Sequence, residues 1–240
     1  MKQIITTVFL ILTGTSVYAN EIYVDQIGDN LNLNITQSGT GNYFGDISGN
    51  GTLSQSGGAP VVLEGDDMTF SITQTGNNNE IAATIKGNTY TGNWQFTGDN
   101  NTVDMTCDSQ GAVQCESVTV DITTNGSNNA FNVFIGENKI ADNLVAAFTV
   151  DGDGNTVNAD LDAVNADVTL TLDNTASLAA SGNTVNIDQD DAGDINGHSI
   201  TYDHTGGAAD INITQSGLTD KTVDVTSSGE DHQVDITQTD

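Results

Sequence analysis

Ile72-Thr73-Gln74-Thr75-Gly76-Asn77-Asn78-Asn79 carries, in eight residues, both halves of the pattern that decides the fold. The first half is an apolar residue, a polar residue, Gln, any residue, then Gly. The same template appears at Val24-Asp25-Gln26-Ile27-Gly28, Ile35-Thr36-Gln37-Ser38-Gly39, Leu53-Ser54-Gln55-Ser56-Gly57 and Ile213-Thr214-Gln215-Ser216-Gly217, and the sequence closes on Ile236-Thr237-Gln238. The second half is Gly-x-x-Asn followed by alternating apolar residues. Gly39/Asn42, Gly76/Asn79, Gly98/Asn101, Gly126/Asn129 and Gly152/Asn155 keep that spacing. Asn183-Thr-Val-Asn-Ile-Asp-Gln189 echoes Asn155-Thr-Val-Asn-Ala-Asp-Leu161, with Ala180 in place of the glycine.

Alternation with a period of two places every second side chain on one face of a strand. Gly and Asn accept the positive φ of a tight turn. The pattern therefore reads strand, turn, strand, and two such strands form one rung of a β-solenoid. From Gln74 onward the glutamine-equivalent positions are expected at Phe96, Thr124, Val150, Leu178 and His204, at intervals of 22 to 28 residues, which are solenoid-sized. A β-sandwich would need bulkier inward residues and less regular spacing. Residues 58–70 interrupt the period and are expected as an inserted loop with a strand, 107–117 as a second insertion, and 136–143 and 190–200 as loops.

Composition agrees. Aromatic residues make up 5% of the chain and there is a single proline, so a large conventional core is excluded and many short strands with tight turns are favoured. Acidic residues number 33 against four lysines, a formal charge of −29. Nucleic acid is excluded as a partner because phosphate binding needs a basic patch, and an anionic membrane surface is excluded with it. Lys2, the apolar run Ile4–Leu12 and Val17-Tyr18-Ala19 form a secretory leader pattern. Cleavage is expected after Ala19, leaving residues 20–240 as one solenoid domain at −30 once Lys2 is lost. The apolar run is shorter than the roughly 20 residues a membrane anchor needs. In an exported chain the pair Cys107 and Cys115 points to a disulfide.

The recurrence resembles the curlin repeat family, whose repeats read approximately Gln-x-Gly-x-x-Asn with a second Gln eleven residues after the first. Gln26 and Gln37 have that separation; His204/Gln215, Leu178/Gln189 and Ser227/Gln238 keep it with one glutamine each. Elsewhere the second position reads Ser48, Ile85, Cys107, Ile135 or Leu161. The resemblance implies a secreted amyloid-like fibre subunit for adhesion or biofilm matrix, built as a β-solenoid. It also implies a nucleator and an outer-membrane secretion pore as partners, and stacked Gln and Asn ladders inside the core. Curlin-like sequences also occur in phage, so the alternative is a monomeric solenoid adhesin or a phage-encoded surface-binding protein.

Catalytic motifs are not found, and no enzyme is expected. His204 falls on the ladder position; His198 and His232 lie in Gly- and Asp-rich contexts. Trp94 is expected to pack on the solenoid. Asp151-Gly-Asp153-Gly-Asn155 resembles the start of a calcium loop but lacks the terminal Glu, so a solvated turn is the favoured reading. Thr119 and Thr169-Leu-Thr171 are too few to define an ice-binding ridge. Stacked rungs are expected to bring carboxylates into near register.

Overall fold

The computed structural model describes residues 7–13, 20–22, 24–39, 41–45, 60–98, 100–107, 117–126, 128–136, 143–152, 154–163, 165–173, 182–189, 198–216, 221–229 and 231–239. The chain alternates between a front and a back sheet. The first rung is β1 (Thr7–Thr13) with β2 (Asn20–Ile22) and β3 (Asp25–Ile27); the second is β4 (Asn32–Ser38) with β5 (Asn42–Phe44) and β6 (Val61–Glu64). Then come β7 (Met68–Thr75) with β8 (Asn79–Lys86), β9 (Tyr90–Thr97) with β10 (Thr102–Cys107), and β11 (Val118–Asn125) with β12 (Ala130–Ile135). The last four rungs are β13 (Leu144–Asp151) with β14 (Thr156–Leu161), β15 (Ala166–Asp173) with β16 (Asn183–Gln189), β17 (His198–Gly206) with β18 (Ala209–Gln215), and β19 (Lys221–Gly229) with β20 (His232–Gln238).

The front sheet runs β1-β4-β7-β9-β11-β13-β15-β17-β19; the back sheet runs β2-β5-β8-β10-β12-β14-β16-β18-β20, with β3 and β6 completing its first two layers. Every strand pairing among the described residues is parallel. The protein is a β-solenoid, and the sandwich alternative, with its antiparallel sheets, does not apply.

Alternation sets the core. β9, β11 and β15 bury every second residue and expose or half-expose the others. Two front-sheet columns face the core: Leu33, Phe70, Gly92, Val120, Ala146, Val168 and Ile200, and beside them Ile35, Ile72, Trp94, Ile122, Phe148, Leu170 and Tyr202. Trp94 lies inside the stack at 1% exposure. Gly92 faces inward because its neighbour Tyr90 needs the room: a Cβ on Gly92 would stand 2.4 Å from the Tyr90 hydroxyl. At the turn, Gly76 stacks under Gly98, whose amide hydrogen-bonds onward to Asn125 O. A Cβ on Gly98 would meet the Gly76 carbonyl at 1.2 Å, so only glycine allows the rungs to close at strand spacing.

The structure redraws several insertions. The strand expected within residues 58–70 is β6, and β7 already begins at Met68, inside the same segment. The interruption lies between Phe44 and Val61, in the middle of a back-sheet layer, because Asn42↔Asn79 and Val61↔Ala83 are both in register on β8. Likewise β17 begins at His198, inside the expected loop 190–200. The expected leader contributes β1, paired with β4 from Thr7↔Asn32 to Thr13↔Ser38.

Candidate functional site

A column of buried asparagine amides runs along the axis where the front strand turns into the back strand. Asn42, Asn79, Asn101, Asn129, Asn155 and Asn183 are each 0–1% exposed. Asn42 Nδ2 donates to Asn79 Oδ1, Asn79 to Asn101 and Asn101 to Asn129, each at 2.7 Å; Asn129 donates to Asn155 at 2.9 Å. The same Nδ2 groups of Asn101, Asn129 and Asn155 donate to the carbonyls of Gly98, Gly126 and Gly152, at 3.1, 3.1 and 2.7 Å. Asn101, Asn129 and Asn155 thus each close their own Gly-x-x-Asn turn and are linked to the next rung. The positive φ expected of these residues sits one position earlier, at Asn100 (60°) and Asn128 (58°).

Glutamine ladders occupy opposite ends of opposite sheets. At the start of the front sheet, Gln74 Nε2 donates to Gln37 Oε1 at 2.7 Å. At the end of the back sheet, Gln215 donates to Gln189 at 2.8 Å and Gln238 to Gln215 at 2.9 Å. Gln26 lies on β3 in register with Leu63. Gln55 lies outside the described residues, as does Ser48; Leu63 takes the second-rung position of the back-sheet column, followed by Ile85, Cys107, Ile135 and Leu161. On the front sheet the column is Gln37, Gln74, Phe96, Thr124, Val150, Leu172, His204 and Ser227. Leu172 therefore holds the place assigned to Leu178, which lies outside the described residues. The registry follows strand alternation, while the connection after β15 carries extra residues.

The asparagine column ends at His232, which pairs with His204. Ala209 follows Asn183 in the asparagine column and His232 follows Ala209. The His232 ring meets His204, Nδ1 to Nδ1 at 3.1 Å, with ring centroids 4.6 Å apart and edge-to-face. Burial, and then His232, hold the His204 imidazolium below its ordinary range; Asp203 and Asp173 oppose this more weakly. Burial also pushes the Tyr90 phenol far up, and Tyr202 likewise.

Cys107 ends β10 in the buried column and is disulfide-bonded; Cys115, the other cysteine of the sequence, lies outside the described residues. In the calcium-like segment Asn155 Oδ1 is committed to the Asn129 side chain and backbone. Asp151 faces solvent and accepts from Asn125 Nδ2 at 3.2 Å, and Asp153 lies outside the described residues. Among the described residues no group of three or more His, Cys, Asp or Glu is placed to hold a metal ion.

Two surfaces were not legible as such in the sequence. The outer face of the front sheet carries threonine in register rows. One column reads Thr36, Thr73, Gln95, Thr123, Thr149, Thr171, Asp203, Thr226; another includes Thr69, Thr91 and Thr119. This is a far larger array than Thr119 and Thr169-Leu-Thr171 suggest. The outer face of the back sheet has a further amide ladder, Asn212 to Asn186 to Asn158 to Asn132, at 3.0, 2.8 and 3.0 Å. Its signal is an asparagine three residues after Asn129, Asn155 and Asn183.

Among the described side chains, those of the last rung are the least covered. Val234 is 37% and Ile236 46% exposed, whereas Ile211 and Ile213, their partners one layer in, are 1% exposed. Val223 and Val225 of β19 are only half-buried. No protein-family model, curated protein or solved structure matches the chain.

Proposed function

We propose that the protein is a secreted structural subunit that stacks end to end into curli-like fibres for adhesion or matrix building. One observation carries this reading: the β19/β20 rung displays inward-column residues, Val234 and Ile236, to solvent. Beside them runs a parallel strand edge whose backbone groups can pair with another chain. Burying those side chains and extending the Gln238 ladder would both favour a second copy. Export through an outer-membrane pore, leader removal and nucleation belong to the same reading, on the strength of the repeat resemblance. Purified protein with the leader removed is expected to form unbranched fibres in negative stain and to bind thioflavin. Ile236→Lys should abolish them while the circular dichroism of the monomer stays unchanged. A wild-type chain that remains monomeric in sedimentation at high concentration overturns the proposal.

The threonine rows favour a second reading, a monomeric solenoid that uses its flat front face to bind a surface. Strands about 4.8 Å apart with alternate residues about 6.7 Å apart form a regular hydroxyl grid, of the kind that can order water on an ice plane. Thermal hysteresis in a freezing assay, lost in Thr123→Lys, would support it; none at millimolar protein would sink it.

A further inference from the structure

Strand parity and the two glutamine ladders together specify how one copy would sit on the next. With residues 1–19 removed, the described chain begins in the back sheet, at β2–β3, and ends in the back sheet, at β20. The back sheet then has nine layers and the front sheet eight. If a second copy were added by translation alone, β2–β3 would lie on β20, and one strand place would stay empty between β19 and β4. In the unprocessed chain that place beside β4 is the one β1 occupies. A half-turn about the stacking axis removes the gap. It puts β2–β3 of the new copy on β19 and β4 on β20, so that front and back strands continue to alternate across the junction.

The side chains favour the same arrangement. β4 carries Leu33, Ile35 and Gln37 at its inward positions, and β20 carries Val234, Ile236 and Gln238 at its own. Ile-Thr-Gln occurs in both strands, at Ile35–Gln37 and Ile236–Gln238. After the half-turn, valine meets leucine, isoleucine meets isoleucine, and Gln238 meets Gln37. The back-sheet ladder Gln189–Gln215–Gln238 would run on into the front-sheet ladder Gln37–Gln74 without a break. Outside, Asp235 would face the uncharged Asn34, so no carboxylates on these two strands come into register. A half-turn also keeps the strands parallel, because the front and back strands of one rung run in opposite directions.

We propose that successive copies are related by a two-fold screw, with β20 of one molecule pairing in register with β4 of the next. The inference rests on the self-stacking reading and adds its symmetry. The rise per copy is then about 41 Å, eight and a half spacings of ~4.8 Å. The test mixes single-cysteine variants of exported, leader-processed protein and joins them with a bismaleimide that spans only neighbouring strands. Asn34→Cys with Asp235→Cys should yield covalent dimers. Asn34→Cys with Asp224→Cys, which probes β4 against β19, should yield none. Fibres that cross-link in neither mixture, as translation would give, or dimers in the second mixture, alone or in yield comparable to the first, overturn the screw but leave self-stacking standing. Protein that sediments as monomer and cross-links in neither mixture overturns both.

Discussion

Asn129 shows what one residue does in a ladder. Its Nδ2 donates to Gly126 O and Asn155 Oδ1, and its Oδ1 accepts from Asn101 Nδ2. Asparagine is the shortest side chain that can donate and accept along the axis while also closing the turn. Asn129→Ala should cost about 1–3 kcal/mol, because Asn155 and Gly126 lose a buried donor. Asn129→Asp should cost more at neutral pH, about 3–5 kcal/mol, since it aims a buried carboxylate at two acceptor oxygens. Burial would raise that carboxyl above its unfolded value of about 3.9. The folded state then holds the proton more tightly, so the deficit relative to Ala should shrink as pH falls toward 4. Urea unfolding at pH 7 and pH 4 measures both. Gly92 is a packing constraint of a different kind. Gly92→Ala should cost about 1–3 kcal/mol by overpacking. Tyr90→Phe, which deletes the hydroxyl that a Cβ on Gly92 would strike, should return part of that loss in the double variant.

Strands β17 and β20 meet through His204 and His232, and their junction should respond to pH. The His204 imidazole is held below its ordinary value by burial and by the neighbouring His232. The unfolded chain therefore binds the proton more readily than the folded one. This contribution to stability is complete above the unfolded value of about 6.5 and is lost as pH falls below it. Hydrogen exchange of the β19 and β20 amides should quicken between pH 7 and pH 5 relative to those of β11, and His204→Gln should flatten the difference. Unchanged protection of β19 and β20 across that range would sink the coupling. The same strands show what the sequence made legible. Ile-Thr-Gln and Gly-x-x-Asn mark local geometry, a strand end and the turn after it, and each asparagine in that motif lies in the buried column. Phase across a connection is another matter. A loop closes at a cost that grows slowly with length, so residues added between β15 and β16 or between Phe44 and Val61 leave the stack unaltered while shifting any fixed count. Leu172 is identified by the alternation of Val168, Leu170 and Leu172, whereas counting 28 residues from Val150 reaches Leu178. The His204–His232 contact was hidden for a related reason: it depends on Ala209, a small residue one layer away, leaving room for a ring.

At the scale of the whole molecule the question is how a chain of formal charge −29 can stack at all. Parallel in-register strands place like residues about 4.8 Å apart, where two carboxylates repel by roughly 3 kcal/mol at an effective dielectric of ~20. The described structure largely avoids this. Asp121 lies between Asn93 and Ala147, Asp203 between Thr171 and Thr226, and Asp167 between Val145 and Ser199. Asp151 with Asp173 and Asp160 with Asp188 are in-register carboxylate pairs. On the proposed fibre reading, what would oppose growth is then the long-range repulsion of one charged body by another more than contact between neighbours. Such repulsion is governed by the Debye length, about 30 Å at 0.01 M and about 8 Å at 0.15 M. Elongation from preformed seeds should therefore accelerate steeply over that range of sodium chloride and level off above it, once the screening length is short compared with the rise of a subunit. Calcium chloride at matched ionic strength should give similar rates, because screening rather than a cation site sets the barrier. Thioflavin fluorescence at constant protein concentration and pH 7 measures the slope. Rates independent of salt would place the barrier in conformational rearrangement of the terminal rung, and a response to calcium alone would place it at a bound cation.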